Sequence, residues 1–396
     1  MSKPVISVFH KSISLHALLY MLYFFLAPME DILNNSAGTL GKYLALVIVG
    51  VALIENHGEI NINNNTANRC IVWLMLVTVA SLLWTIDRQT TVNRMVAYLL
   101  VPGFCLYTST LTFTKDEFDL IVISAILGGL VTAGIAYVSG GMLDEQLADR
   151  MILTEDNDPN NFAALLLLPF ALSWWKIQES RKFKYKLLFA AVMVIILFYI
   201  FMTGSRGGLL SVLVILVSFY FVSGMFKRAS AILGTAVLLV LLFFVLKTFL
   251  PTDLFSRLFS SENYTSSGAG RTDVWEILFR DIYPNMGIFG LGAGCVSVKM
   301  TAYYGFAKGI HNTYLNMIGE FGIFGLPAFL LMIVSIIKRN YKHKFYIGVA
   351  LLLGICTTIL FLDAYQKKFF WNIIMLIFIH EGTVEESGAQ LQLSDK

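Results

Sequence analysis

The chain has 396 residues, 57% hydrophobic and 14% charged, with a mean hydropathy of +0.71; a soluble fold of this length cannot bury so much apolar surface against itself, so its solvent is lipid. The formal net charge of +3 is small and scattered between apolar runs, which argues against a nucleic-acid surface. Cys70, Cys105, Cys295 and Cys356 show neither paired metal-ligand spacing nor the density of a disulfide scaffold, and they read as packing residues.

Hydrocarbon offers the backbone no hydrogen-bond partners, so spanning segments must be helices or a closed barrel, and the apolar runs here are long rather than alternating. The expected fold is an all-α integral membrane protein. A span takes about 20 apolar residues, and that ruler marks about twelve candidates, near 13–29, 40–55, 69–86, 95–113, 118–139, 160–176, 187–203, 207–225, 230–250, 312–337, 345–362 and 368–380. Lys3 and Lys11 precede the first, and no small-residue cleavage site follows Phe25, so it reads as an uncleaved helix. Residues 1–380 form one predicted membrane domain without internal repeats, and 381–396 a polar, mobile tail.

The three most basic short loops are 176–186, 227–228 and 338–344. With twelve spans all three share one side with both termini, and the positive-inside rule makes that side cytoplasmic. The opposite side receives the acidic loop 140–160, the turn 204–208 and a long polar segment, 251–310. Connections of that length between spans are commonly functional.

Three constellations there carry chemistry. The first is Thr203-Gly204-Ser205-Arg206-Gly207-Gly208, which holds an arginine at a hydrocarbon boundary. Such a cation is costly unless it meets an anion or water, and its planar guanidinium suits a phosphate; a snorkelling arginine in a helical hairpin also fits. The second is Ser266-Ser267-Gly268-Ala269-Gly270-Arg271-Thr272-Asp273-Val274-Trp275-Glu276. It reads as a helix start with Thr272 or Asp273 as N-cap and Glu276 closing a capping box from Asp273. Arg271 would then join an anion-favouring helix terminus, although an exposed loop arginine fits as well. The third is His311-Asn312 followed after nine residues by Gly322-Ile323-Phe324-Gly325. Histidine is suited to proton exchange near neutrality; a histidine at a span end is also an ordinary interfacial residue.

A Ser-Arg-Gly turn between two spans, a Gly-Arg-x-x-x-Trp helix start in a long external loop, and His-Asn-x9-Gly-x-x-Gly opening the next span together resemble the O-antigen ligase and O-antigen polymerase superfamily. The motifs cover about 203–325, and the span pattern extends the likeness to nearly the whole chain. The resemblance implies a metal-independent, inverting glycosyltransferase of the C-type membrane class in the bacterial cytoplasmic membrane, with its site on the external face. The implied donor is a glycan on undecaprenyl diphosphate, without cofactor. Arg206 and Arg271 would bind the diphosphate, and His311 would activate the acceptor hydroxyl.

Supporting candidates are Asn160 and Asn161 at the end of Asp156–Asn161, Asn312, Glu320 as partner of an arginine or of the histidine, and Arg88, with Arg94, as added positive potential; each has an ordinary structural reading too. The cluster Gly287, Gly290, Gly292 and Gly294 lacks the strand and helix of a dinucleotide loop and reads as a bent loop near the site. A transporter is the alternative class, but transporters place ionisable groups near the midplane and often show repeats. The Asp-Pro-Asn-Asn-Phe-Ala stretch, 158–163, looks like members associated with exopolysaccharide or capsule assembly, which favours a polymerase over a ligase acting on lipid A core.

Overall fold

The computed structural model describes residues 5–8, 11–37, 40–138, 150–154, 158–225, 248, 254, 255, 258, 271–306 and 309–394. The expected span 230–250, all of 266–270, and Asp156 with Asn157 lie almost wholly outside these; only Thr248 among them is described. A small hairpin of β1 (Val5–Val8) and β2 (Lys11–Ser14) leads into α1 (Leu15–Leu26), α2 (Glu30–Ala37) and α3 (Leu40–Glu55). There follow α4 (Thr66–Ala80), α5 (Arg88–Thr108), α6 (Lys115–Val138), α7 (Pro159–Glu179), α8 (Phe183–Met202) and α9 (Arg206–Val222). The later elements are α10 (Arg271–Ile277), α11 (Cys295–Tyr304), α12 (Thr313–Phe321), α13 (Leu326–Lys342), α14 (Tyr346–Thr358) and α15 (Lys368–Ser394).

The described chain is all-α apart from the hairpin, and every expected span other than 230–250 falls on a helix. Length and composition qualify fewer of them as membrane crossings. Among the described residues Leu15–Leu33, Thr66–Leu83, Lys115–Val138 and Phe183–Met202 are long and apolar enough, four in all, and a fifth arises if 313–324 and 326–342 count as one broken span. The others fall short for physical reasons: α14 has 13 residues, about 20 Å against about 30 Å of hydrocarbon, and α5 carries Arg88 and Arg94.

Local sequence explains where the helices begin. Asp87 caps α5 by accepting from Gln89 and Thr90 N–H, Asp158 caps α7 with Pro159 in its first turn, and Ser205 caps α9 by accepting from Gly208 N–H. The tightest pairing sets α9 against α14. Gly354 makes it possible, because a Cβ there would lie 2.3 Å from Ile215 Cγ1, and Ser211 and Thr358 hydroxyls bond across the seam at 2.7 Å.

Three expectations are corrected. The segment 312–337 is not straight: α12 and α13 meet at 110°, and Gly322-Ile323-Phe324-Gly325 is the break. Arg271 is already helical in α10, so Thr272 and Asp273 lie within the helix, not at its cap, and Glu276 pairs with Arg280 at 3.0 Å. The tail does not start at 381. α15 continues to Ser394, and buried Glu381 accepts from Arg339 and Asn340 of α13, an ion pair that a free tail would lack.

The described loops gather at two ends. At one, Ile86 N–H bonds Leu291 carbonyl at 3.1 Å, and the loops 84–87, 203–206, 271–311 and 359–367 meet. At the other, Lys176 reaches Asp119 at 2.8 Å, and Glu179, Ser223 and Lys344 line one cleft. Over the first end lies a separate small apolar core of Val274, Ile277, Leu278, Leu291, Val296 and Met300, contributed by α10, α11 and the turns between them.

Candidate active site

The sequence motifs converge on a segment that sequence reading had passed over, the loop 359–367 between α14 and α15. Thr313 opens α12 and is stitched to this loop three times: its N–H donates to Ile359 carbonyl (3.0 Å), its hydroxyl donates to Leu362 carbonyl (2.7 Å), and it accepts from Ala364 N–H (2.8 Å). Asp363 then receives His311 N–H on Oδ2 at 3.2 Å and Asn312 N–H on Oδ1 at 3.1 Å, and Asn316 Nδ2 also donates to Oδ1.

His311 adopts φ 52°, a left-handed conformation costly for a residue with a Cβ. The two consecutive N–H groups turned onto one carboxylate are what hold it there. Asn312 is the N-cap of α12, its side chain accepting from Leu315 N–H at 3.0 Å. A Cβ placed on Gly309 would lie 3.3 Å from His311 Nε2 and 3.5 Å from Asp363 Oδ2, so imidazole and carboxylate crowd the same glycine. Burial pushes the Asp363 carboxyl upward, against the pull of His311 and of the two N–H bonds.

Phe361, two residues earlier, joins the arginine motifs. A Cβ on Gly207, the neighbour of Arg206, would meet its ring at 3.1 Å, and the Arg271 guanidinium lies over the same ring at 5.8 Å from its centroid. Trp275, the end of the Gly-Arg-x-x-x-Trp pattern, donates from Nε1 to the carbonyl of Ile310 at 3.0 Å. That bond ties the Arg271 helix to the residue before His311.

The Arg206 turn has its own brace. Arg150, 6% exposed, donates from Nε to Thr203 carbonyl at 2.8 Å and from Nη2 to Asn160 Oδ1 at 3.3 Å. Ser205 also donates to Asn160 Oδ1 at 2.8 Å. Asn160 therefore belongs to this cluster. Asn161 instead lines a neighbouring cavity. Arg150 was missed because a single arginine ending an acidic loop carries no motif.

Glu320 is buried and accepts from Tyr98 OH at 3.2 Å; the carboxylate that holds His311 is Asp363. Arg88 is exposed at the start of α5, whereas Arg94, six residues on, donates to Gln366 and lines a small cavity of about 50 Å³ with Asn316, Glu320 and Asp363. The glycine cluster is a bent loop: Leu291 and Gly292 N–H bond the carbonyls of Gly319 and Glu320 at 2.8 and 3.0 Å. Cys70, Cys105 and Cys295 are buried and Cys356 half-buried, all free thiols. Among the described residues no three His, Cys, Asp or Glu side chains group as a metal site.

A guanidinium over Phe361, with the Arg206 turn packed on the same ring through Gly207, can accept a polyanion, and an imidazole whose own backbone N–H is held by Asp363 of the shared loop can accept a proton. Residues 191–330, 140 of the 396, match the family model described as O-antigen ligase. The match spans the Arg206, Arg271 and His311 motifs. The search of curated proteins gave no match.

Proposed function

From the membership of residues 191–330 in the O-antigen ligase and polymerase superfamily, we propose that this multi-pass membrane protein transfers a glycan from undecaprenyl diphosphate to an acceptor sugar hydroxyl. The observation that carries the reading is the 359–367 loop, which seats Arg271 and the Arg206 turn on Phe361 and His311 on Asp363.

In the reaction the hydroxyl oxygen attacks the anomeric carbon as the carbon–oxygen bond to the diphosphate breaks. The departing electron pair leaves with the diphosphate, where Arg206 and Arg271 stabilise the growing charge. His311 takes the hydroxyl proton. One in-line displacement inverts the anomeric centre, and nothing in these steps calls for a metal. Asp363 and Asn160 position the histidine and the Arg206 turn.

The acceptor we favour is a second lipid-linked repeat, which makes the protein a polysaccharide polymerase; transfer to a lipid A core sugar is the alternative. Reconstitution with a lipid-linked oligosaccharide tests the class. The wild type forms a new glycosidic bond and releases polyprenyl diphosphate, and Arg206→Ala, Arg271→Ala and His311→Ala insert normally yet lose on the order of 10²–10⁴ in rate. Movement of the lipid without a new bond, or full activity of all three variants, refutes the reading.

A further inference from the structure

Beside the arginine and histidine cluster, a cavity of about 300 Å³ lies between α1, α5, α6, α7 and α15. Its walls are apolar, from Phe24, Leu100, Val101, Leu165, Leu168 and Phe369. Its mouth is charged. Lys42 and Lys367 line it with no ion-pair partner among the described residues, Lys368 and Glu30 there neutralise each other, and Asp31 leaves the mouth with one net positive charge. An apolar interior under ammonium groups fits an amphiphile with an anionic head.

The cavity adjoins the reacting groups without containing them. Gln366 lines both it and the small cavity of Asp363 and Asn316, and receives the hydrogen bond of Arg94. Asn161 on its wall follows Asn160, which holds Ser205 beside Arg206. None of Arg206, Arg271, Phe361 and His311 lines it. A donor whose diphosphate rests on the two arginines therefore leaves this cavity and its two lysines to another lipid.

We propose that the cavity seats the acceptor: the isoprenoid chain of a second polyprenyl-diphosphate-linked glycan lies between α5, α6 and α7, with its diphosphate on Lys42 and Lys367 and its sugar presented past Gln366 towards His311. The proposal rests on the transferase reading above. Lysines suit this head because binding there need only be a reversible point-charge contact, whereas the leaving diphosphate needs the bidentate arginines.

The test is two-substrate kinetics on the full chain in nanodiscs, varying the donor and a short lipid-linked acceptor independently, in Leu165→Trp, which fills the cavity, and in the double variant Lys42→Gln/Lys367→Gln. The acceptor KM rises about tenfold or more, the effect of losing a charge-assisted contact, while the donor KM holds. A rise in donor KM instead, or no change in either, overturns the proposal. Photolabelling supplies a readout that needs no turnover: a polyprenyl phosphate with a diazirine in its chain labels α5 and α7 peptides, is displaced by the lipid-linked acceptor, and fails to label Leu165→Trp. Labelling only outside the α5 and α7 peptides, or displacement only by a multi-acylated lipid, also overturns it. Inactive Arg206→Ala and Arg271→Ala beside unaffected cavity variants reject the cavity alone; active arginine variants reject the transferase reading beneath it.

Discussion

At the scale of single residues, Asp363 separates what the sequence could show from what it could not. Arg206, Arg271 and His311 stand out because a cation or an imidazole at a hydrocarbon boundary needs a reason. Asp363 ends an apolar run beside Phe361 and Leu362 and looks like an ordinary span terminus, yet it accepts three donors from the His311 segment. Replacing it with alanine leaves the buried N–H groups without an acceptor, at about 1–3 kcal/mol, and frees His311 from its left-handed conformation. We expect Asp363→Ala to lower kcat about 10- to 100-fold with a smaller change in donor KM, measured in the reconstituted reaction. Its pH behaviour distinguishes positioning from bulk stability. Because burial raises the folded-state pKa, this group's contribution to stability is fully present below the unfolded value of about 3.9 and is lost as pH rises through the folded value. Activity runs the other way: the bonds to His311 are charge-assisted only while Asp363 is ionised, so the rate falls as pH drops through that raised value. The Asp363 contribution to the acid limb of the rate profile lies above that of an ordinary aspartate, and Asp363→Asn, which keeps one acceptor oxygen, takes that contribution out, leaves the part due to the general base, and retains part of the rate. An unchanged profile in Asp363→Asn would sink the assignment. Phe361→Leu is milder: it keeps apolar contact with Gly207 but loses the ring under Arg271, worth about 0.5–1 kcal/mol, so donor KM rises about two- to fivefold with kcat nearly constant.

At the scale of elements, hydropathy locates helices well and their interruptions badly. A window of apolar residues averages straight through 312–337, because Ile323, Phe324 and Leu326 are as apolar as their neighbours. The break is written in two glycines instead. Gly322 sits at φ 56° and ψ −135°, a region reached almost only by glycine. A Cβ there would come within 1.9 Å of Ile288 carbonyl oxygen, which accepts from Ile323 N–H at 3.1 Å. The break thus lets the loop that carries Ile288 dock under α12 and keeps Asn312 and Thr313 facing the 359–367 loop. Gly322→Ala must displace backbone, so it should cost more than about 3 kcal/mol, above ordinary surface substitutions. A lowered thermal midpoint in detergent, together with lost transfer, is the expected result; a variant as stable as wild type would mean that the turn is not strained. The cap of α10 was misread for a related reason. Asp273 and Glu276 have the right spacing, but Arg280 competes for Glu276 at 3.0 Å, and that contact depends on the helix running on past Ile277.

At the scale of the whole molecule, the division of the described loops into two groups was legible and the number of crossings was not. Periodic apolar runs and three basic loops are enough to sort loops between two sides. The described contacts agree in separating the 84–87, 203–206, 271–311 and 359–367 loops from the cleft of Glu179 and Lys344. A crossing is harder to count because a helix enclosed by protein does not have to match the bilayer. α14 is only 13 residues long, but Ile347, Val349, Ala350, Leu351, Leu352 and Ile355 are all buried, with α7, α9, α13 and α15 packed around it. Its length is set by those neighbours, and by the need to end where the 359–367 loop meets His311. Sidedness, unlike number, has a direct test. Lys299 and Thr272 are exposed on the layer over the site, and Lys184 and Lys342 are exposed at the opposite end. Single cysteines at the first two should react with a membrane-impermeant maleimide in intact cells. Those at Lys184 and Lys342 should react only after permeabilisation, since basic loops are retained on the cytoplasmic side. The native thiols add little background, as Cys70, Cys105 and Cys295 are buried. If Lys299→Cys and Lys342→Cys label from the same side, the two ends do not face opposite solvents and the external placement of the arginine and histidine cluster falls. If Lys184→Cys labels from outside and Thr272→Cys does not, the orientation is inverted, and a diphosphate on Arg271 would have to be presented from the cytoplasm.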